Sequence, residues 1–472
     1  MRNLLKKCKE KPCCVNGMAF LLILCLNLFL YWGCQDNYFF SDDFEWLARG
    51  VLAQHLPDAP TEITRIEGRD FNPIFMILLT LVIRVFGLSV PAFRLLSLLV
   101  FSAVIYIFFH ILSRYFQVNR FVSLSIALLF GVNVYISEVA LNMSALVYSF
   151  SLLLFLAGLE FFLAGKRIWY FLFLLLAFFT KETIILAVLP LFFYMKEKRD
   201  RWFIFVSLGV LVLVRALLQW FTAAPGKYTD FLGTSNVIYK LYFIMMRALN
   251  ISPYAINPVL GGGILVILGL AAAYFVFSKK AGTGNAGNER RGFIFFLLFF
   301  IVFTLFFSLL PKLSSRYFFY PSFGLWGMAA LWAHHFSGKN KKIKYVPASL
   351  LVISLLFNYP MIKREVEDYK ILGDFSRQYI QRQAAVIKDG LPEGEITIYK
   401  PDSRPLAEVY QQIKNRENLP KLLPIREHGI GGVIAPTHFI PLMFYPVKIV
   451  RWNQSRETSD YFTGRLKIAP GY

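Results

Sequence analysis

The chain has 472 residues and a formal charge of +21, and 57% of its residues are apolar. The apolar residues come in long runs rather than at alternating or helical spacing, which excludes an ordinary soluble domain and implies a polytopic membrane protein. Lys and Arg fall mostly in short clusters between those runs, where they set topology, so the charge implies anionic head groups or phosphates and not a nucleic-acid partner.

The chain opens on MRNLLKKCKEKP, and the first apolar run, 18–34, continues without a small-residue cleavage site, so it reads as a retained helix with a cytoplasmic basic end. The five cysteines, Cys8, Cys13, Cys14, Cys25 and Cys34, all precede residue 35 and have no histidine at ligand spacing, which argues against a zinc site or a disulfide framework. A spanning helix needs about 20 apolar residues. The runs that qualify are 18–34, 73–88, 92–112, 120–136, 143–164, 168–195, 203–220, 258–278, 292–310, 322–336 and 345–360. With the clusters Lys6–Lys11, Lys196–Arg201, Lys279–Arg291 and Lys339–Lys344 all cytoplasmic, the count of crossings closes. Lys181 and Glu182 interrupt 168–195, which is one long helix or two short ones; two full crossings there would reverse every later segment. The expected fold is therefore an all-α membrane domain over 1–360 with about eleven helices. Its outer loops are 35–72, 221–257 and 311–321.

Within the first outer loop, DDFEWLARGVLAQ has helical spacing, with Phe44, Leu47, Val51 and Leu52 on one apolar stripe that suits the membrane surface. In the second, Ile238 to Leu249 is amphipathic and places Lys240 and Arg247 among aromatics, as an interfacial helix or re-entrant segment would. Beyond Met361 charged residues rise. A helix and the strand-like stretches EITIYKP, GGVIAP and VKIVRW follow, so 361–472 reads as a small extracytoplasmic α/β domain.

Chemistry concentrates at the outer end of the first helix, in NYFFSDDFEWLARG. Asp42 and Asp43 are costly beside a membrane unless they work, and a general base needs burial balanced by nearby cations. An Asp at the N-cap of the interfacial helix is the structural alternative. Lys181 and Glu182 are ionisable residues inside an apolar run, which points to function, with a mutual salt bridge at a helix break as the alternative. Arg84, Arg94 and Arg215 read as helix-end anchors. His334 and His335 are adjacent at a cytoplasmic helix end, which is not metal-ligand spacing.

Taken in order, the first helix with its acidic pair, Arg69-Asp70-Phe71-Asn72-Pro73 at the start of the second run, Phe86-Gly87 and then PAFR resemble the GT-C glycosyltransferases, in the protein O-mannosyltransferase and aminoarabinose transferase branch. Thr180, Lys181, Glu182 and Pro190 extend the similarity, and SSRYFFYPSFG from Ser314 to Gly324 resembles an Arg-Tyr-x-x-x-Pro-Ser element of related members. The resemblance implies a transferase, in a bacterial inner membrane, that moves a sugar from a polyprenyl-phosphate carrier to a hydroxyl of a protein, lipid or glycan. It places the essential acid on Asp42, with Asp43 as second acid. The chain departs from the aminoarabinose branch at Asn72, where a basic residue is missing, and at Asn142, where an Asp is replaced, with Glu138 one helical turn earlier.

The implied step is a single displacement at the anomeric carbon, with Asp42 as base and outer-face cations on the leaving phosphate. Arg316 is the first candidate, since a guanidinium engages phosphate bidentately, with Arg69 and Lys312 behind it. Asn72, Glu138, Asn142, Lys181 and Glu182 are candidates for supporting roles. Arg316 and Lys312 could instead snorkel at the interface, and Arg69 could pair with Asp70 or Glu67 in solvent. No cofactor is required; whether Asp42 and Asp43 hold a divalent metal stays open. An O-antigen-type polysaccharide polymerase or ligase, and a transporter of a lipid-linked substrate, are the competing readings.

Overall fold

A computed structural model of the chain describes residues 12–39, 43–54, 59–64, 71–222, 237–251, 269, 285–310, 314–389, 396–398, 450–454 and 464–468. The helices are α1 (Pro12–Leu30), α2 (Asp43–Leu52), α3 (Ala59–Thr64), α4 (Pro73–Phe86), α5 (Val90–Arg114), α6 (Arg120–Gly131), a single turn α7 (Glu138–Leu141), α8 (Leu146–Leu163), α9 (Arg167–Thr180), α10 (Val188–Tyr194), α11 (Lys198–Thr222), α12 (Val237–Ala248), α13 (Asn285–Ser308), α14 (Phe319–Lys339) and α15 (Val346–Asp389). Among the described residues four spans, Val90–Arg114, Met143–Leu163, Asn288–Ser308 and Lys342–Gln378, are long and apolar enough to cross a membrane. The protein is an integral membrane protein.

Local signals set the boundaries. Pro73 begins α4, where its missing N–H costs nothing, and Gly87 ends it. The side chain of Asn119 caps α6 by accepting from Phe121 N at 2.9 Å. Lys181 takes an extended backbone that stops α9. The helices pack through aromatic side chains and small residues. A Cβ at Gly324 of α14 would lie 2.7 Å from Phe300 N of α13, so only glycine permits that approach.

The bundle has two ends. At one, Arg114 of α5 meets Glu160 of α8 (3.8 Å), Asn119 donates to His334 Nδ1 (3.3 Å), His335 meets Glu289 (3.3 Å) and Arg167 meets Asp200 (2.7 Å). This basic end gathers the segments that the sequence assigns to one face. At the other, the site end, lie residues 34–38, 133–148 and 314–322, tied by the contacts described below.

Between these ends run α1, α5, α6, α8, α9, α10, α11, α13, α14 and α15. One expectation changes, and one open alternative is decided. The run 168–195 is out and back. Arg167 and Asp200 share the basic end, while Lys181 lies over the ring of Tyr148 at the site end (5.6 Å). Helix α9 is about 21 Å long, and the 3-10 segment Glu182–Ala187 with α10 returns over about 22 Å. The run 73–88 makes no crossing, because both its ends stay at the site end. Asn72 adjoins Thr180 and Phe71 packs on Phe179 (5.8 Å), while Val90, just beyond α4, borders Gln35 and Asp36. One crossing fewer and one more cancel, and among the described residues the basic stretches at Arg167, Lys198–Arg201 and Arg290–Arg291 still share an end. The expected crossing at 258–278 lies outside the described residues except for Gly269.

Helix α15 has 44 residues and runs through Pro360, so the change of composition at Met361 falls inside one helix. At about 66 Å it is twice as long as a hydrocarbon core is thick, and Gly373 in its second half still packs against Tyr38 at the site end. Among the described residues three strands follow: β1 (Ile396–Ile398), β2 (Val450–Gln454) and β3 (Gly464–Ile468), an antiparallel sheet of order β1-β3-β2 with Leu466 opposite both Ile396 and Trp452. The first two overlap EITIYKP and VKIVRW; GGVIAP lies outside the described residues.

Candidate active site

Asp43 is the first residue of α2 and is fully buried. Its Oδ1 accepts from Ser144 N at 2.8 Å, and its Oδ2 lies 3.6 Å from Arg94 Nη2, itself without solvent contact. Arg94 belongs to the PAFR stretch at the start of α5. It donates from Nε to the carbonyl of Asn37 (3.0 Å), from Nη1 to that of Leu141 (2.6 Å) and from Nη2 to that of Tyr38 (3.0 Å). A buried guanidinium must fill its donors, and here they join the first outer segment, the start of α2 and the α7 turn.

The stretch 137–145 joins this acid to the arginine of the later motif. Glu138, on α7, is buried, and its Oε1 lies 3.0 Å from Arg316 Nε. Its Oε2 accepts from Ser314 Oγ (2.9 Å) and from Arg316 N (2.8 Å). Asn142 Oδ1 accepts from both the backbone N and the Oγ of Ser144 at 2.9 Å. Arg316 Nη1 reaches Ser144 Oγ at 3.5 Å, and Ser144 N is shared between Asn142 and Asp43. Ser144 is therefore the hub through which an acid at the start of α2 and a cation in the 3-10 turn before α14 meet. Chemically, the site offers a carboxylate fixed in place beside a guanidinium held at one edge by Glu138.

Of the other residues singled out, Asn72 is buried, and with its amide nitrogen turned inward it donates to the carbonyls of Phe71 and Thr180 at 3.1 and 2.9 Å. Lys181 is buried against Tyr148, which in turn contacts Tyr317 beside Arg316 (6.0 Å between rings), so a second cation flanks the site. Glu182 meets Arg215 of α11 at 3.9 Å. Arg215 is thus more than a helix-end anchor. Asp42, Arg69 and Lys312 lie outside the described residues.

Arg94 corrects the reading of it as an anchor, since it holds Asp43. Ser144 and Ser314 had no mark in the sequence beyond their spacing from Asn142 and Arg316. Arg247 of α12 is buried beside the rings of Phe243 (3.9 Å), Phe318 (4.9 Å) and Tyr135 (5.3 Å), and Lys240 donates to the carbonyl of Leu310 at 2.7 Å. Helix α12 thereby packs against Leu310 and Phe318, which flank Arg316 in the chain. Among the described residues no group of three or more His, Cys, Asp or Glu side chains is placed to hold a metal ion. His334 and His335 face Glu289 at the basic end, away from the site.

The chain resembles crystal structures of ArnT from Cupriavidus metallidurans. One is bound to undecaprenyl phosphate (TM-score 0.44) and one is in the apo state (TM-score 0.41); both are 14% identical and cover 78% of this chain and 72% of that one. No curated protein matches the sequence. Over residues 15–371 the sequence matches the EpsG family, to which the chain belongs.

Proposed function

We propose that the protein is a membrane glycosyltransferase that moves a sugar from a polyprenyl-phosphate donor to a hydroxyl at the site end of the bundle, which faces away from the cytoplasm. The observation that carries this is the Ser144 hub, which brings Asp43, neighbour of Asp42, within two contacts of Arg316. Residues 361–472 would stand on the same outer side, carried there by α15.

In the proposed step the acceptor oxygen attacks the anomeric carbon and the bond from that carbon to the phosphate oxygen breaks. Asp42 takes the hydroxyl proton, and the polyprenyl phosphate leaves with the electron pair. Arg316 meets the charge growing on that phosphate, with Arg69 and Lys312 assisting. Asp43, clamped by Arg94 and Ser144, fixes the start of α2. Glu138 holds Nε of Arg316, which orients the guanidinium in the manner of a supporting shell.

Substitution Asp42→Asn, assayed in vesicles with a polyprenyl-phosphate sugar, should lower transfer by about 10²–10⁴-fold. Undiminished transfer would remove Asp42 from the mechanism. Arg316→Ala should also abolish it, while Glu138→Gln, which keeps an acceptor for Nε, should lose less than Glu138→Ala.

A second reading changes only the acceptor. Membership of the EpsG family, polysaccharide polymerase-like in character, favours a growing glycan chain as the hydroxyl donor. Chain-length analysis of the products separates it from transfer of a single residue.

A further inference from the structure

The basic end carries a second feature that glycosyl transfer does not use. The turn between α8 and α9 and the start of α11 bring Lys166, Arg167 and Arg199 to the mouth of a groove of about 870 Å³ whose wall is Ile168, Trp169 and Phe203. The wall faces outward from the bundle, with Ile168 75% and Trp169 53% exposed. In a membrane protein such apolar side chains meet lipid, and a Trp beside cations marks head-group level. Arg167 is taken up by Asp200 at 2.7 Å, which leaves the charge of the groove to Lys166 and Arg199, both exposed. Segments 165–167 and 196–201 together hold six basic residues against two acidic ones, so the field at the mouth is positive.

We propose that this groove binds the phosphodiester head group of an anionic phospholipid, with Lys166 and Arg199 on the phosphate and the acyl chain along Ile168, Trp169 and Phe203. The pairing of two cations with an outward apolar wall suits a ligand that is anionic at one end and apolar at the other. An acidic peptide or a free phosphate has no use for that wall. The site is independent of the chemistry at Ser144, which lies at the opposite end of the bundle.

The test is lipid binding by the purified full-length protein, titrated with phosphatidylglycerol, phosphatidylcholine and a polyprenyl monophosphate and read by native mass spectrometry. Wild type should hold phosphatidylglycerol in preference to phosphatidylcholine. The double variant Lys166→Gln/Arg199→Gln should bind phosphatidylglycerol about thirty-fold more weakly, from about 1 kcal/mol per cation. The swap Lys166→Arg/Arg199→Lys, which keeps both charges, should retain binding. Lys342→Gln/Lys344→Gln removes equal charge at the same end and should change little. An equal loss in that control would show diffuse surface attraction and overturn the site. No preference over phosphatidylcholine would also overturn it, and tighter retention of the polyprenyl monophosphate would overturn the phospholipid assignment.

Discussion

Replacing Arg94 by Met tests whether the buried clamp holds the acidic end of α2. Arg94 and Asp43 are both without solvent exposure and 3.6 Å apart. At an effective dielectric of about 20 their gross attraction is about 5 kcal/mol, most of it offset by the cost of drying both charges. Removing only the guanidinium leaves the carboxylate buried beside a thioether, a change that costs about 3–5 kcal/mol. The carbonyls of Asn37, Tyr38 and Leu141 lose donors as well, at about 1 kcal/mol each. Asp43→Asn is milder, since Asn can still accept from Ser144 N and Arg94 keeps its three carbonyls. The double variant Asp43→Leu/Arg94→Met should be more stable than Arg94→Met alone, because both members of the buried pair are then removed together. Equilibrium unfolding in mixed micelles, arranged as a double-mutant cycle, should give a coupling of about 2 kcal/mol or more. If Arg94→Met lies within about 1 kcal/mol of wild type, or if the two changes simply add, the clamp is not what fixes this end of the bundle.

The approach of α15 to the first outer segment depends on Gly373, where a Cβ would lie 2.6 Å from Tyr38 N and 2.8 Å from Tyr38 O. Gly373→Val should destabilise by about 1–3 kcal/mol through overpacking against backbone. Gly209→Ala in α11, where nothing lies within 4 Å, should stabilise by up to about 1 kcal/mol; thermal melting of the two variants checks the contrast. The path of the chain predicts that cysteines placed at Ser89 and Gln35 are labelled from the same side of the membrane by an impermeant reagent. Cysteines at Gly165 and Lys198 should be labelled together from the opposite side. Labelling of Ser89 with Gly165 would restore 73–88 as a crossing. Burial pushes the Cys34 thiol up to about 11, and the side chain is 2% exposed. Because the thiolate is the nucleophile and the folded state disfavours it, Cys34 should resist maleimide at pH 7–9 until the protein is unfolded. Cys25, exposed on α1, should label in detergent beforehand.

The membrane class and most helix positions were legible because lipid imposes a length and an apolar composition on each span, and both are written in consecutive residues. The runs 73–88 and 168–195 show where that reasoning stops. The 14 residues of α4 are as apolar as a spanning helix, and it is contacts such as Asn72 beside Thr180 and Val90 beside Asp36 that reveal that it never leaves the site end. Hydropathy reports what surrounds a helix and not where it goes. Lys181 and Glu182 did mark the reversal between α9 and α10, yet Glu182 turns to Arg215 on α11, a partner 33 residues on that adjacency in sequence could not suggest. The site divides in the same way. Asp43 and Arg316 stood out because charge in an apolar chain is costly enough to need a reason. Arg94 was equally costly but lay at a helix start, where snorkelling explains an arginine without function. Ser144 was invisible, because a serine beside an apolar helix carries no sign of the carboxylate, amide and guanidinium that converge on it. A search for functional serines in such chains should therefore begin from the carboxylates and guanidinia that need buried partners. In this molecule that route runs from Glu138 to Arg316 and from Asp43 to Arg94, and both branches close on the single stretch 137–145.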